Sequence, residues 1–269
     1  MPEKYDFLAA YISELGNCAV AFSGGADSSL LLKVCHEVLG DECTAFTYSS
    51  PLMPRRDIDD SIKFCKEYGI RQIIIERNSF SAEVKKNTSE RCYFCKKEIF
   101  SAIIDEAAKY GIKNIAEGSN ADDVFDYRPG MKALKEIGIF SPLLECSISK
   151  KDVYEISGKL KLLTVLKSSS ACLASRIPYG EEINPQKLER IDKSENFISS
   201  LGFSDFRVRS HENLARIEFS RKDILSVFEN NIVEKISSAL KSFGFVYVSV
   251  DADGFVSGSM NREVKENKI

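Results

Sequence analysis

The sequence predicts an α/β chain: a parallel-sheet domain over residues 1–167, followed by a smaller α+β domain over 168–269. Three observations carry this. Short apolar runs alternate with helical patterns through the first half, which calls for a parallel sheet with right-handed crossovers. A polar hinge, Lys167-Ser168-Ser169-Ser170, and a rigid turn, Ile177-Pro178-Tyr179-Gly180, mark a change of composition near residue 168. Beyond the turn, two strand patterns follow each other without an intervening helix, which suits an α+β tail.

Taken in order, residues 17–23 (NCAVAFS) read as a buried strand and 28–39 as a helix with an apolar stripe. Residues 44–48 and 71–76 read as the next two strands, with a helix over 55–68 between them. A helix over 96–110 precedes a fourth strand that begins at 114–117. Ser149-Lys150-Lys151-Asp152 opens a further helix with a capping-box pattern. The tail reads as a helix (185–201), strands (206–209 and 214–219), a helix (224–242) and a last strand (247–250). Ligands of open parallel sheets sit beyond the carboxyl ends of the strands. Ser23, Ser49, Asn78 and Gly118 fall there.

Composition sets the outer bounds. The apolar share of 43% and charged share of 29% are those of a globular protein. A net charge of −3 gives no global basic field for nucleic acid, so an anion site must be local. No apolar run approaches a membrane span, and the first fifteen residues read as an amphipathic helix rather than a signal peptide, so the expected location is cytoplasmic. Eight cysteines in such a chain point to metal ligands, catalytic groups or core residues rather than a disulfide framework. Two histidines, His36 and His211, are too few for a zinc hydrolase built on several.

The segment Ser23-Gly24-Gly25-Ala26-Asp27-Ser28 follows a strand and opens a helix, the context a phosphate loop requires. Gly24 and Gly25 let backbone N–H groups approach an anion, and the serines add hydroxyl donors. Asp27 can hold the Mg2+ that accompanies a triphosphate. No Gly-Lys-Ser/Thr follows, so kinase-type phosphoryl transfer is not implied. The bland alternative is an N-capped helix after a glycine turn.

The second constellation is Cys92-Tyr93-Phe94-Cys95 with Cys172, which lies 77 residues after Cys95. A C-x-x-C turn points two thiolates at one metal, and a remote cysteine can close the site. Arg91, Lys96 and Arg176 beside them favour thiolate over thiol. Three ligands suit a [4Fe–4S] cluster with one open iron, whereas structural zinc wants a fourth. Cys18, Cys35, Cys43 and Cys65 lie on apolar strand or helix faces and read as core, and Cys146 leans the same way.

The loop resembles the S-G-G-x-D-S pattern of the PP-loop ATP pyrophosphatases, which grip the β,γ-pyrophosphate and leave the α-phosphorus open to attack. The resemblance implies AMP and pyrophosphate as products and a Rossmann-like sheet. Together with R-C-Y-F-C-K (91–96), E-G-S-N-A-D-D (117–123), Y-R-P-G (127–130) and A-C-L-A-S-R-I-P-Y-G (171–180), it makes nearly the whole chain similar to the ATP-dependent sacrificial sulfur transferases, the LarE family. That family helps make the nickel-pincer nucleotide cofactor of lactate racemase. In one branch a single cysteine, matching Cys172, gives up its own sulfur. In another, three cysteines hold a [4Fe–4S] cluster, and Cys92, Cys95 and Cys172 match that pattern.

The resemblance implies ATP with its pyrophosphate on Ser23, Gly24, Gly25, Asp27 and Ser28, and its adenosine against the segments after Thr47 and Gly118. Asn120, Asp122 and Arg128 are assigned near the α-phosphate or the adenylated carboxylate. The implied substrate is pyridinium-3,5-biscarboxylate mononucleotide, whose phosphate needs cations. Arg176, Arg207 and Arg209 are assigned to it, since Arg207 and Arg209 share one strand face. The same alternation also suits a solvated face. Glu195 is assigned to the substrate or a metal. A sulfide donor and a homo-oligomer complete the implied partners. A tRNA thiolase, an amide-forming ligase and a nucleotide-sensing module are the competing readings. The first would need a basic surface, the second gives the three cysteines no role, and the third would show no ATP–pyrophosphate exchange.

Overall fold

In the computed structural model, the described residues are 3–125, 129–163 and 171–256. The chain runs α1 (Glu3–Leu15), β1 (Cys18–Ala21), α2 (Ala26–Leu39), β2 (Cys43–Ser49), α3 (Arg55–Tyr68) and β3 (Arg71–Glu76). It continues through α4 (Ala82–Lys85), α5 (Arg91–Ala108), β4 (Ile115–Ala116), α6 (Pro129–Ile137), α7 (Pro142–Glu145) and α8 (Lys150–Lys159). The last elements are α9 (Pro185–Ser200), β5 (Phe206–His211), β6 (Leu214–Phe219), α10 (Ile232–Ser242) and β7 (Tyr247–Val250).

Two compact units result. The first comprises residues 1–81 and 90–170, the second residues 82–89 and 171–269. A single cut near residue 168 makes no provision for the 82–89 segment, and that cut itself, with the Lys167–Ser170 hinge, lies outside the described residues.

The first unit is a four-stranded parallel sheet in the order β3-β2-β1-β4, as the alternation of strands and helices requires. Strand alternation sends neighbouring β1 residues to opposite cores. Cys18 and Val20 join Leu31, Leu8 and Ile156, drawn from the helices α2, α1 and α8. Ala19 joins Phe46, Phe100, Ile103 and Leu134, where α5 and α6 supply the cover. Cys18, Cys35, Cys43 and Cys65 are all buried in the first of these cores, which is where an apolar thiol is most stable. Helix α3 turns Ile58, Ser61, Phe64 and Cys65 inward at helical spacing and ends on Gly69, whose φ of 67° suits the left-handed cap.

The second unit is built on a three-stranded sheet, β5-β6-β7, with β5 antiparallel and β7 parallel to β6. Its long helix α9 starts at Pro185 after Asn184, whose side chain accepts the Lys187 N–H. Residues 82–89 are tied in by the buried Asn87 (φ 51°). Asn87 Nδ2 donates to the carbonyls of Pro178 (2.7 Å) and Glu181 (3.0 Å), and its own carbonyl accepts the Gly180 N–H (2.9 Å).

Two elements differ from the sequence pattern. The single helix expected over 224–242 is split: Asn230 and Asn231 take φ of 52° and 57°, so only a short 3-10 turn precedes α10. Asparagine tolerates the left-handed region, and two in a row break the helix. The helix expected to start at 96 starts at Arg91, so Cys92 and Cys95 lie within its first turns rather than in a turn before it.

Candidate active site

The end of β1 leads into the phosphate loop. Phe22 N–H still pairs with the Phe46 carbonyl (2.8 Å), and the chain then turns at Gly24, φ 75°. A Cβ on Gly24 would stand 3.0 Å from the Asp57 carbonyl, so glycine is required there by both conformation and space. Gly25 caps α2 without any side-chain acceptor, which leaves the first-turn amides available to an anion. Ser28 Oγ donates to the Gly25 carbonyl (3.2 Å) and shares a 3.1 Å hydrogen bond with Ser23 Oγ.

Gly118, just past β4, backs this loop. A Cβ there would lie 2.9 Å from Ser28 N and 3.0 Å from Ser28 Cα, so the two backbones meet with no room for a side chain. Asp27 Oδ1 accepts from Asn120 Nδ2 at 3.2 Å, and Asp27 Oδ2 meets Lys150 Nζ at 2.6 Å. Asn120 is fixed in turn. Its N–H donates to Asp123 Oδ2 (3.0 Å), and its Oδ1 accepts the Asp122 N–H (3.0 Å). Asp122 Oδ2 accepts the Lys150 N–H at 2.7 Å, which ties the 120–122 turn to the start of α8.

Thr47 is buried in β2, and its hydroxyl donates to the Phe22 carbonyl (3.0 Å) while accepting from Gln72 Nε2 (2.8 Å). Its side chain therefore holds strands together beside the loop. Arg128 lies outside the described residues.

Cys92 and Cys95 are three residues apart at the start of α5 and so share a face, half-buried, with Arg91 Nη2 3.9 Å from Cys92 Sγ. Both thiols therefore lie at the positive end of the helix dipole, with Cys92 beside a guanidinium. Lys96, one residue on, has Nζ 3.7 Å from the buried Glu117 Oε2. Gly130 packs α6 onto this turn, where a Cβ would come within 3.0 Å of Lys96 Cγ.

Cys172 belongs to the second unit. It is half-buried and precedes a 3-10 turn, Leu173–Arg176. Arg176 is fully buried: Nε and Nη2 donate to Glu195 Oε1 (2.9 Å) and Oε2 (3.0 Å). Its Nη1 donates to the carbonyls of Ala171 (2.7 Å) and Cys172 (3.3 Å) and to Ser175 Oγ (2.8 Å). Burial alone would raise the Glu195 carboxyl, but Arg176, the Val208 N–H and Arg207 together hold it below the usual carboxylate range.

Arg209 is committed in the same way. Its Nε (3.0 Å) and Nη2 (2.7 Å) donate to Glu218 Oε2, and its Nη1 to the Ser175 carbonyl (2.9 Å). Arg207, 4% exposed, stacks on the Phe255 ring at 4.6 Å. The three guanidiniums expected to face a substrate phosphate are thus buried and bonded to the chain itself.

Among the described residues no group of three or more His, Cys, Asp or Glu side chains stands ready to hold a metal ion. Nor, among them, is any helix long and apolar enough to cross a membrane.

Comparison with known proteins adds to this geometry. The NAD synthase family matches residues 1–117, the part that carries the loop. An uncharacterized protein of Synechocystis is 37% identical over 97% of this chain and 98% of its own length. The pyridinium-3,5-bisthiocarboxylic acid mononucleotide synthase of Lactiplantibacillus plantarum is 36% identical over 94% of this chain and 92% of its own. The chain belongs to the LarE family of PP-loop ATP pyrophosphatases. It is an ATP-dependent sulfurtransferase of that family. A further relative, an uncharacterized protein of Methanocaldococcus jannaschii, is 32% identical over 87% of the chain and 88% of that protein.

Two contacts of the site carry no local sequence signal: Lys150 on Asp27, and the Glu117–Lys96 pair. Lys150 was visible only as the first residue after a cap, and nothing local marks its partner, 123 positions away. Glu117 opens the E-G-S-N-A-D-D segment, but the hydrogen bonds it accepts from Ser119 and Ser141 depend on the fold.

Proposed function

We propose that this chain adenylates a carboxylate of pyridinium-3,5-biscarboxylate mononucleotide and replaces its oxygen with sulfur, in assembly of the nickel-pincer nucleotide. The observation that carries the reading is the glycine-turned loop at 23–28, which includes Asp27 and has Gly118 packed against its backbone. The name of the L. plantarum relative, a bisthiocarboxylic acid mononucleotide synthase, supports the substrate.

The loop amides and the hydroxyls of Ser23 and Ser28 take the β,γ-phosphates, so that pyrophosphate is the group stabilised as it leaves. Asp27 offers hard carboxylate oxygens at the loop, a donor that fits Mg2+. A substrate carboxylate oxygen attacks the α-phosphorus. The bond to the bridging oxygen breaks, and pyrophosphate departs. Adenylation turns a poor leaving oxygen into AMP, so a sulfur nucleophile adds to the acyl carbon, expels AMP and leaves a thiocarboxylate. Asn120 and Asp122 stand beside the loop as supports for the adenylated end.

We assign Cys172 to delivery of the sulfur, with Cys92 and Cys95 as its partner thiolates. What supports this reading is the chemistry of the donors: Cys92 and Cys95 are soft sulfur ligands on one helix face beside the Arg91 guanidinium, and the Cys172 carbonyl is held by Arg176. A [4Fe–4S] cluster bound by the three would supply sulfide and allow turnover. Eight free thiols suit the cytoplasm, and the resemblance supports a homo-oligomer.

The test is to incubate anaerobically reconstituted protein with Mg·ATP, the biscarboxylate mononucleotide and sulfide, following pyrophosphate and the product mass. The expected result is pyrophosphate release with an oxygen-to-sulfur mass change. Consumption of ammonia instead, or salt-sensitive tight binding of bulk tRNA, would overturn the reading.

A further inference from the structure

The phosphate loop holds an ion pair that the adenylation chemistry does not yet use. Lys150 Nζ and Asp27 Oδ2 stand 2.6 Å apart, with side chains 31% and 27% exposed, so both remain open to an incoming ligand. The base of the lysine is fixed. Its N–H is held by Asp122 Oδ2 at 2.7 Å, and the Ser149–Asp152 capping box seats the first turn of α8 beneath it. The stem above is four flexible methylenes ending in three rotatable donors. Lys150 is therefore a long-stemmed charge on an anchored backbone, its ammonium held between Asp27 and the Tyr154 ring (5.1 Å to the centroid) at the start of α2. It also sits on the carboxylate oxygen that a magnesium ion would need.

We infer that Lys150 is a placeholder cation and a positioning residue for the leaving group. In the nucleotide-free protein it neutralises Asp27. When Mg·ATP arrives, Asp27 passes to Mg2+ and the ammonium turns to the β,γ-phosphate oxygens, where negative charge collects as pyrophosphate leaves. Asn120, on the other oxygen of Asp27, keeps the carboxylate oriented through the exchange. After pyrophosphate departs with its metal, Lys150 recloses on Asp27, which favours product release. The inference rests on residues 23–28 being the triphosphate site.

The exchange predicts effects of opposite sign on two ligands. Lys150→Met and Lys150→Arg would be made in the full chain. Each would be titrated calorimetrically with Mg·ATP and with AMP, which lacks the β,γ-phosphates. Nucleotide-free Mn2+ binding would be read by electron paramagnetic resonance. Lys150→Met is expected to weaken Mg·ATP by about 10- to 100-fold, the worth of one charge-assisted hydrogen bond. AMP affinity stays within about twofold, reporting a folded site, while Mn2+ binds several-fold more tightly because Asp27 has lost its internal cation. Lys150→Arg recovers most of the ATP affinity. Unchanged Mg·ATP affinity in Lys150→Met, equal weakening of AMP and Mg·ATP, or Mn2+ affinity that does not rise would each overturn the proposal. Failure of the unaltered chain to bind Mg·ATP would instead overturn the reading of the loop, and the role of Lys150 with it.

Discussion

Arg176 and Glu195 form a two-pronged ion pair in the second unit, with Nε and Nη2 of the guanidinium on the two carboxylate oxygens at 2.9 and 3.0 Å. The remaining nitrogen reaches back to the carbonyls of Ala171 and Cys172. Since Glu195 Oε1 also accepts the Val208 N–H (3.1 Å), one buried pair links the Cys172 loop, α9 and β5. A buried pair of this kind is worth little as a net attraction, but losing one member strands a charge. Arg176→Ala is therefore expected to lower the unfolding free energy by about 3–5 kcal/mol, measured by urea denaturation. Arg176→Lys keeps the charge but cannot reproduce the fork, and should fall between.

Acid should weaken the protein through the same residue. Glu195 is held below its ordinary range, so the folded chain takes up its proton less readily than the unfolded one. Its contribution is complete above the unfolded value, about 4.3, and is lost as pH falls through the folded value. Asp152 behaves alike: burial works against it, but hydrogen bonds from Lys4 and Ser149 hold it down to about 2. Urea midpoints should be flat between about pH 7 and 5 and fall steadily from about pH 4 to 2. Asp152→Asn should flatten part of that slope.

Gly118→Ala places a methyl group against the backbone of Ser28, where neither side can give way cheaply. A cost of about 1–3 kcal/mol in stability follows from overpacking. Because the displaced backbone belongs to the phosphate loop, Mg·ATP affinity should fall as well, by equilibrium titration. A control at Gly111, whose Cβ would meet open space but whose φ is 72°, should cost stability without affecting the nucleotide.

Cys172→Ser separates the two halves of the reaction. The phosphate loop lies in the first unit and Cys172 in the second, so ATP–pyrophosphate exchange in the presence of the mononucleotide should persist while sulfur transfer is lost. Cys92→Ser and Cys95→Ser should keep exchange too, and lose iron on anaerobic reconstitution.

The parallel sheet and the loop were legible because both follow from local chemistry. Apolar runs such as CAVA read as buried strands at sight, and the glycine pair between strand and helix became a phosphate loop once serines flanked it and Asp27 lay inside it. Arg207 and Arg209 show the opposite case. Their alternation correctly put them on one strand face, but period two does not say whether that face meets water or Glu218 and Phe255. The entry of Cys92 and Cys95 into α5 was hidden for a related reason. The N-cap position is Glu90, which makes no side-chain cap, and Ser89 lies one residue outside it, so the local signal does not mark where the helix starts. The Lys150–Asp27 pair spans 123 positions and leaves no local trace.

The excursion of residues 82–89 bears on how the chain comes off the ribosome. This octapeptide is made early, between two stretches of the first unit, yet the carbonyls and N–H groups that satisfy Asn87 and Lys85 belong to residues 177–183, made almost a hundred positions later. During synthesis it must wait, its polar groups met by water, until the later partner emerges. A C-terminal fragment expressed from residue 171 onward would lack this strap and leave Ile183 N–H and Gly180 N–H without their acceptors. The second unit is therefore a late product of the whole chain, one that supplying the 82–89 peptide in trans should help a fragment regain.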